Sequence, residues 1–254
     1  VDAEGVGSRL VKEVGLTPLG SQGVLPALQF EVADVDVDSA YAEVYVGGKV
    51  APGFFAWVIP LGGDVARVGL ACRGVDPRER LESFVGVRFG RFNRVSVRSG
   101  SVITCGPIPR TFSDNLVVVG DAAGQVKPTT GGGVVLGGIC AMMAGRVVAE
   151  AVKKSDFSAG FLGECERLWR GRLGREFRVM RLARMVADRL SDRTIDKVFE
   201  VVMEGGLQFE LSRVGDLDFQ AGVLSALARK GDILRVLLAA VPGVVKGFAV
   251  GFER

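Results

Sequence analysis

The sequence predicts a mixed α/β protein, with an antiparallel β-rich region, a strand–glycine–helix unit and a helical C-terminal region. Three observations lead there. Residues 27–105 hold several short runs in which apolar and polar residues alternate with period two. Leu116–Val119 is a four-residue apolar run that stops at Gly120-Asp121 and leads on to Gly131-Gly132-Gly133. From Val134 onward apolar residues recur at helical spacing.

Taken in order, Ser8 and Gly15 are placed to be the N-cap and the stop of a short helix. Gly5-Val6-Gly7 resembles the start of a dinucleotide fingerprint. The third glycine is missing and four preceding residues leave no room for a strand, so that reading is rejected. Leu28, Phe30 and Val32 alternate with Gln29 and Glu31 as a half-buried strand does, and Ala42, Val44 and Val46 alternate with Tyr41, Glu43 and Tyr45. Residues 52–60, PGFFAWVIP, are apolar on both faces and predict an interior strand. Gly62-Gly63 predicts a tight hairpin, and Val65–Ala71 the return strand. Asp76 and Pro77 read as the N-cap and first residue of a helix with a Leu81, Phe84, Val85 stripe. Val95 and Val97 alternate with Ser96 and Arg98 before the proline-bracketed turn Cys105–Arg110.

The stretch LVVVGDAAGQVKPTTGGGV, residues 116–134, is where chemistry concentrates. Glycines let a ligand approach the backbone, and the first N–H groups of the helix beyond them have no partner of their own. No Gly-Lys-Ser/Thr follows, so this is not a phosphate loop. Asp121 would repel a phosphate but accepts hydrogen bonds from polyol hydroxyls. A flavin, with a ribityl chain and a pyrimidine edge that becomes anionic on reduction, meets both requirements. The same residues also make an ordinary glycine-rich turn without a ligand, and spacing alone leaves both readings open.

Residues 134–153 predict one helix, on which Gly137, Ala141, Gly145 and Ala149 share a small-residue face. That face either packs on this chain's own sheet or meets a domain outside it. A longer helical stretch, 158–190, carries Arg167, Arg170, Arg172, Arg175, Arg178, Arg181, Arg184 and Arg189. Their spacing drifts around the helix, which favours a solvated surface over an anionic-partner site. Residues 194–254 predict shorter helices. The apolar segment 233–250 is interrupted by Arg235, Pro242 and Lys246, which suits burial or shallow contact with a bilayer surface.

Composition sets exclusions. The 254 residues include no histidine, which removes His-dependent triads, His metal sites and the commonest general base. Cys72, Cys105, Cys140 and Cys165 are widely spaced, so neither a zinc site nor a redox pair is predicted, and a reducing cytoplasmic setting follows. A net charge of +3 does not argue for nucleic acid. No uninterrupted apolar run reaches the ~18 residues of a membrane span.

The string GDAAGQVKPTTGGG resembles the second flavin-binding motif of the geranylgeranyl reductase family, especially its archaeal digeranylgeranylglycerophospholipid reductase branch. Gly106-Pro107-Ile108-Pro109-Arg110 is similar to that family's approach to the motif. Phe55-Ala56-Trp57-Val58-Ile59-Pro60 resembles its aromatic-x-Trp-x-aromatic-Pro strand, with Phe55 where Tyr is usual and Ile59 where Phe is usual. The missing phenol puts any tyrosine role there in doubt. Ala3-Glu4-Gly5-Val6-Gly7-Ser8-Arg9 is a weaker match to an Ala-Asp-Gly-x-x-Ser element.

The resemblance implies the C-terminal part of a flavin hydroxylase-like FAD fold, with an antiparallel substrate-binding sheet and a C-terminal helical region. Residues 1–25 and 106–156 would belong to the FAD-binding domain, 26–105 to the substrate-binding domain and 157–254 to the helical region. The first residue is Val1 rather than Met, in keeping with a chain whose N-terminal nucleotide-binding segment lies elsewhere, on a longer protein or a separate subunit. That segment would also be the neighbour of the small-residue helix face.

The implied activity is FAD-dependent reduction of C=C bonds in geranylgeranyl chains of a prenyl lipid or polyprenyl diphosphate. Gly120, Asp121, Pro128, Thr129, Gly131, Gly132, Gly133 and Val134 would bind the cofactor, and Phe55, Trp57, Ile59 and Pro60 the isoprenoid. An external electron donor and peripheral contact with a membrane surface are implied as well, and no residue stands out as proton donor. Two alternatives stay open: a flavin monooxygenase of the same superfamily, which substrate-stimulated aerobic NAD(P)H oxidation would reveal, and an inactive or lipid-binding fragment.

Overall fold

The computed structural model describes residues 1–231, 233 and 235. Its helices are α1 (Arg9–Glu13), α2 (Pro77–Phe89), α3 (Val134–Lys154), α4 (Ala159–Ala187), α5 (Asp192–Glu204), α6 (Leu207–Val214) and α7 (Ala221–Arg229). Its strands are β1 (Val24–Ala33), β2 (Glu43–Val46), β3 (Phe55–Gly62), β4 (Val65–Ala71), β5 (Asn93–Ile103), β6 (Phe112–Ser113) and β7 (Leu116–Val117). The chain divides into two compact units. One comprises Leu25–Val102 with Ser191–Ile195. The other comprises Val1–Val24, Ile103–Leu190 and the described residues from Asp196 onward.

The first unit is a five-stranded sheet in the order β2-β3-β4-β1-β5, with β1, β2, β3 and β4 paired antiparallel. The expected hairpin at Gly62-Gly63 is present, and both glycines take the positive φ that a tight turn requires. Helix α2 starts where Asp76 accepts a hydrogen bond from the Arg78 N–H at 2.7 Å and Pro77 presets the first turn. Its Leu81, Phe84 and Val85 are buried together with Leu28, Phe30 and Val32 of β1, Ala56 and Val58 of β3, and Val68 and Leu70 of β4. Each such large side chain contributes about 1.5–3 kcal/mol by burial, so this layer dominates the unit's stability.

Two strands turn their faces the other way from what apolarity predicts. Val44 and Val46 are 61% and 42% exposed, whereas Glu43 and Tyr45 point toward α2. The register explains it: Tyr45 lies opposite Ala56 and packs edge-on to Phe84, at 4.9 Å between centroids. Arg88, in the last turn of α2, reaches Glu43 through two hydrogen bonds of 2.9 and 2.7 Å, and the Tyr45 hydroxyl donates to the same carboxylate. A polar triad thus occupies the helix side, and the valines take the opposite face. At the other edge, Arg94 of β5 pairs with Glu82 of α2 at 3.0 Å, so Val95 and Val97 are exposed on the same opposite face.

In the second unit α3 packs on α4, and α4 also on α7, β6 and β7. The expected strand over Leu116–Val119 is shorter than its apolarity implies. Only Leu116 and Val117 form a ladder, with β6, while Val118 makes a single parallel bridge to Asp2. The remaining backbone bonds go to Thr111 and Asp2. Ser8 precedes α1 but does not cap it, because its left-handed backbone (φ 52°) aims the hydroxyl back at the Val6 carbonyl. Glu4 caps instead, accepting from the Leu10 N–H at 2.7 Å.

Helix α3 begins at Val134 as expected. Of its small-residue face only Gly137 is buried, against Gly120 and Gln125, while Ala141, Gly145 and Ala149 are exposed. Its buried side is Leu136, Cys140, Ala144, Val147 and Ala151. By length and composition alone α3 reaches across a bilayer, although the sequence holds no unbroken apolar run of that length. The arginines of α4 are exposed except Arg184, which is buried and bonded to Asp188 at 2.8 Å. Trp169 of α4 is buried, meets Phe177 edge-on and donates to the Thr111 hydroxyl at 3.1 Å. Apart from Ile233 and Arg235, the apolar segment 233–250 lies outside the described residues.

The Glu43 carboxyl is held below its usual 4.5, first by its hydrogen bonds to Arg88, against the opposing cost of burial. A depressed carboxyl stabilises the fold fully above its unfolded pKa and loses that contribution as pH falls through the folded value. Arg88→Ala should therefore destabilise the sheet unit by about 1–3 kcal/mol at neutral pH. The variant should also lose less stability than the parent between pH 5 and the acid limb. Denaturant titrations at several pH values check both.

Candidate functional site

The turn after β7 is fixed by backbone positions that exclude side chains. Gly120 is left-handed (φ 65°) and opens a 3-10 turn, Gly120–Ala123. Gln125 is fully buried and grips the first residue of this turn twice: its Oε1 accepts from the Gly120 N–H at 2.9 Å, and its own N–H donates to the Gly120 carbonyl at 2.9 Å. Gly124, also left-handed (φ 69°), lies against the Gly106 carbonyl, so the Gly106–Arg110 turn packs directly on the loop. Ile108 N–H then donates to the Ala123 carbonyl at 3.0 Å.

A second closed turn follows. Lys127 N–H donates to the Gly132 carbonyl at 2.9 Å, and Gly131 N–H to the Lys127 carbonyl at 2.7 Å. A methyl group at Gly133 would meet Val126 at 2.6 Å and the Asp121 carboxylate at 3.0 Å. The missing side chain is what lets Asp121 lie beside the start of α3. That start has no side-chain cap and no acid in its first turn, and Val134 is exposed. Among the described residues the exposed Asp121 carboxylate accepts no hydrogen bond. A free acceptor therefore stands next to the positive end of a 21-residue helix, across glycines that leave room for a ligand. The arrangement fits hydroxyl donors at Asp121 and a partly anionic edge at the helix end. That is the pair of groups found on the ribityl and pyrimidine half of a flavin.

Not all the predicted cofactor residues face this opening. Gly120, Asp121, Gly131, Gly132, Gly133 and Val134 line it or shape it. Pro128 is buried near Gly106, and the Thr129 hydroxyl is bonded to Gln220. Sequence reasoning passed over Gln125, although a buried amide inside a Gly-Asp turn is a usable signal. It also missed Asp218 and Gln220, which lie about ninety positions downstream of their partners with no local signal.

In the sheet unit, Phe55, Trp57 and Ile59 share the face opposite α2. The Trp57 ring lies flat on Gly69 of β4, where a methyl group would meet its Cε2 at 2.6 Å. Its Nε1 donates to Gln29 of β1 at 3.2 Å. Phe55 meets Trp57 edge-on at 6.1 Å and stacks on Phe54 at 4.1 Å. Pro60 pairs with Ala66 on the helix-covered face, one pleat out of phase with the other three. The phenol missing at position 55 is not replaced by Tyr45, which faces α2.

Other chemistry is not assembled here. Burial pushes the thiols of Cys140 and Cys165 up, to about 12 and about 11, so neither is a thiolate near neutrality. Among the described residues no cluster of metal-ligating side chains occurs.

Comparison with known proteins gives the site a context. Residues 24–102 match the geranylgeranyl reductase catalytic domain, almost the same span as the sheet unit. The chain is 38% identical over 240 residues to digeranylgeranylglycerophospholipid reductase 2 of Methanothermobacter thermautotrophicus, covering 92% of this chain and 62% of that protein. It is 34% identical to the reductase of the same name from Methanocaldococcus jannaschii, covering 92% and 60%. The chain thus spans about three fifths of the length of these relatives.

A solved geranylgeranyl bacteriochlorophyll reductase-like protein from Thermoplasma acidophilum superposes with a TM-score of 0.75 at 25% identity, over 97% of this chain and 60% of that one. A flavin-dependent brominase shares the fold, with a TM-score of 0.62 at 14% identity over 98% and 62%.

Gly69→Ala should displace the Trp57 ring and cost about 1–3 kcal/mol through overpacking. Tryptophan emission and a melting curve of the variant measure both effects. An unchanged emission spectrum would mean that the ring does not rest on Gly69.

Proposed function

The chain belongs to the geranylgeranyl reductase family, and on that basis we propose that the protein is an FAD-dependent reductase of geranylgeranyl C=C bonds. Its substrate would be a prenyl lipid or a polyprenyl diphosphate. The observation that carries the cofactor half of this reading is the partnerless Asp121 carboxylate beside the uncapped start of α3.

In this reading Asp121 accepts hydrogen bonds from the ribityl hydroxyls. The N–H groups of Gly132, Gly133 and Val134 face the pyrimidine edge, where the helix end, worth roughly half a positive charge, favours the electron-rich form. A flavin held there would supply the reducing equivalents for a C=C bond, the balancing proton coming from a donor the site does not identify. On the sheet, Phe55, Trp57 and Ile59 would meet the isoprenoid, on a face that also carries the Arg67–Glu31 ion pair beside Ile59, and Gln29 and Gly69 hold the Trp57 ring still. Pro60 and Thr129 act on structure rather than on ligand. The remaining length found in the relatives would grip the adenosine diphosphate half of FAD. An external donor would reduce the flavin, and the substrate would be met at a membrane surface from the cytoplasmic side.

Asp121 bears no structural bond, so Asp121→Ala should leave folding unchanged. In the full-length protein the variant should weaken flavin binding about 10- to 100-fold, the loss expected for hydrogen bonds to a charged acceptor. Flavin absorbance after gel filtration measures this, and stoichiometric retention would sink the assignment. Trp57→Ala should lower isoprenoid turnover with flavin content kept. If neither quantity changes, the strand is only structural.

A further inference from the structure

Lys127 is the most polar part of the glycine stretch left without a role, and its side chain takes an unusual course. It folds back across its own turn, so that a methyl group at Gly132 would meet Cε at 2.7 Å and Nζ at 3.1 Å. Its side chain is only 12% exposed, and the ammonium is held from one side by the loop Asp216–Gln220. Nζ donates to the Leu217 carbonyl at 2.9 Å and to Asp218 Oδ1 at 2.7 Å. Two residues on, Thr129 is bonded to Gln220.

The Asp216–Gln220 loop is itself held in place. Asp216 accepts from the N–H groups of Asp218 and Phe219 at 2.8 and 3.0 Å. Gln220 Nε2 donates to the Leu217 carbonyl at 3.0 Å. Glu176 of α4 accepts from the Ala221 N–H at 2.8 Å, at the start of α7. Phe219 packs with the buried cluster of Trp169, Phe177 and Met180. A rigid helical core therefore fixes a loop that fixes Lys127, and Lys127 lies over the Gly132 backbone.

We propose that Lys127 and Asp218 are positioning residues of the cofactor site, setting both the course of the Gly131–Gly133 turn and the local charge at its N–H groups. The proposal rests on the flavin reading above. In the intact pair the ammonium and carboxylate offset one another close to Gly132. Removing Lys127 leaves the Asp218 carboxylate uncompensated, and removing Asp218 leaves the ammonium with only the neighbouring Asp216 carboxylate, in a part-buried position where charge is poorly screened. Removing the ammonium leaves a negative charge that opposes the reduced, electron-rich flavin. Removing the carboxylate leaves a positive charge that favours it. The two substitutions therefore act on the reduction potential with opposite sign, while both loosen the turn.

The test uses the full-length flavin-loaded protein with Lys127→Met and Asp218→Asn, both close in volume to the parent. Spectroelectrochemical titration should give a lower midpoint potential for Lys127→Met and a higher one for Asp218→Asn. Binding of oxidised FAD, read by fluorescence quenching, should weaken about three- to thirtyfold in each. Shifts of the same sign, or none, with the parent binding flavin normally would overturn this proposal and leave the flavin reading standing. A parent that binds no flavin would overturn both. If Lys127→Met fails to fold, Asp218→Asn alone decides, because a purely structural contact predicts no rise in potential.

Discussion

The space beside α3 exists because Gly133 has no side chain. A single methyl there would collide with Val126 and push against Asp121, and the carboxylate could no longer stand next to the helix end. Other close approaches follow from that one. Gly120 is left-handed ahead of Asp121, Gln125 bonds both the N–H and the carbonyl of Gly120, and the bare Gly137 lets α3 lie closely against Gly120. The candidate half-site is a set of backbone contacts, and its exposed carboxylate accepts no hydrogen bond among the described residues. This division of labour is the reverse of a side-chain-built active site. The main chain provides shape and dipole, and in the proposed reading one carboxylate would provide selectivity.

The sheet unit follows the same economy with different residues. One face is sealed by α2, where Glu43, Tyr45 and Arg88 satisfy one another and Arg94 pairs with Glu82 at the far edge. The other face carries aromatic and aliphatic groups together with the Trp57–Gln29 hydrogen bond and the Arg67–Glu31 ion pair. Placing the polar triad on the packed side leaves Val44, Val46, Val95 and Val97 on the open side. A largely apolar face costs stability in water, and retaining one is in keeping with the isoprenoid substrate proposed above.

Most of the fold was legible where local chemistry decides. Asp76-Pro77 started α2, Gly62-Gly63 turned the hairpin, and the glycines ended at the first residue of α3, because each depends on neighbours in sequence. The face of β2 was not legible from apolarity, since Tyr45 and Glu43 gain more from Phe84 and Arg88 than the valines would. Pro60 could have been placed from the pleat alone, as its parity differs from Phe55, Trp57 and Ile59. Ser8 had the right identity for a cap but the wrong backbone. Within the candidate site, Asp121 and the glycines were readable, whereas Asp218 and Gln220 meet Lys127 and Thr129 across 91 residues. Nothing in a local pattern encodes such a contact.

The two tryptophans of the chain are divided between the two compact units, and both are tied down through their indole N–H. Trp57 reports from a sheet surface with a glutamine amide at its nitrogen. Trp169 reports from inside the helical core, against Phe177, with a threonine hydroxyl at its nitrogen. The protein therefore carries one built-in fluorophore per unit, in environments different enough to be told apart by colour and quenching. With either indole replaced, the melting of each unit, and the arrival of a ligand at either one, becomes a separate optical signal that needs no added label.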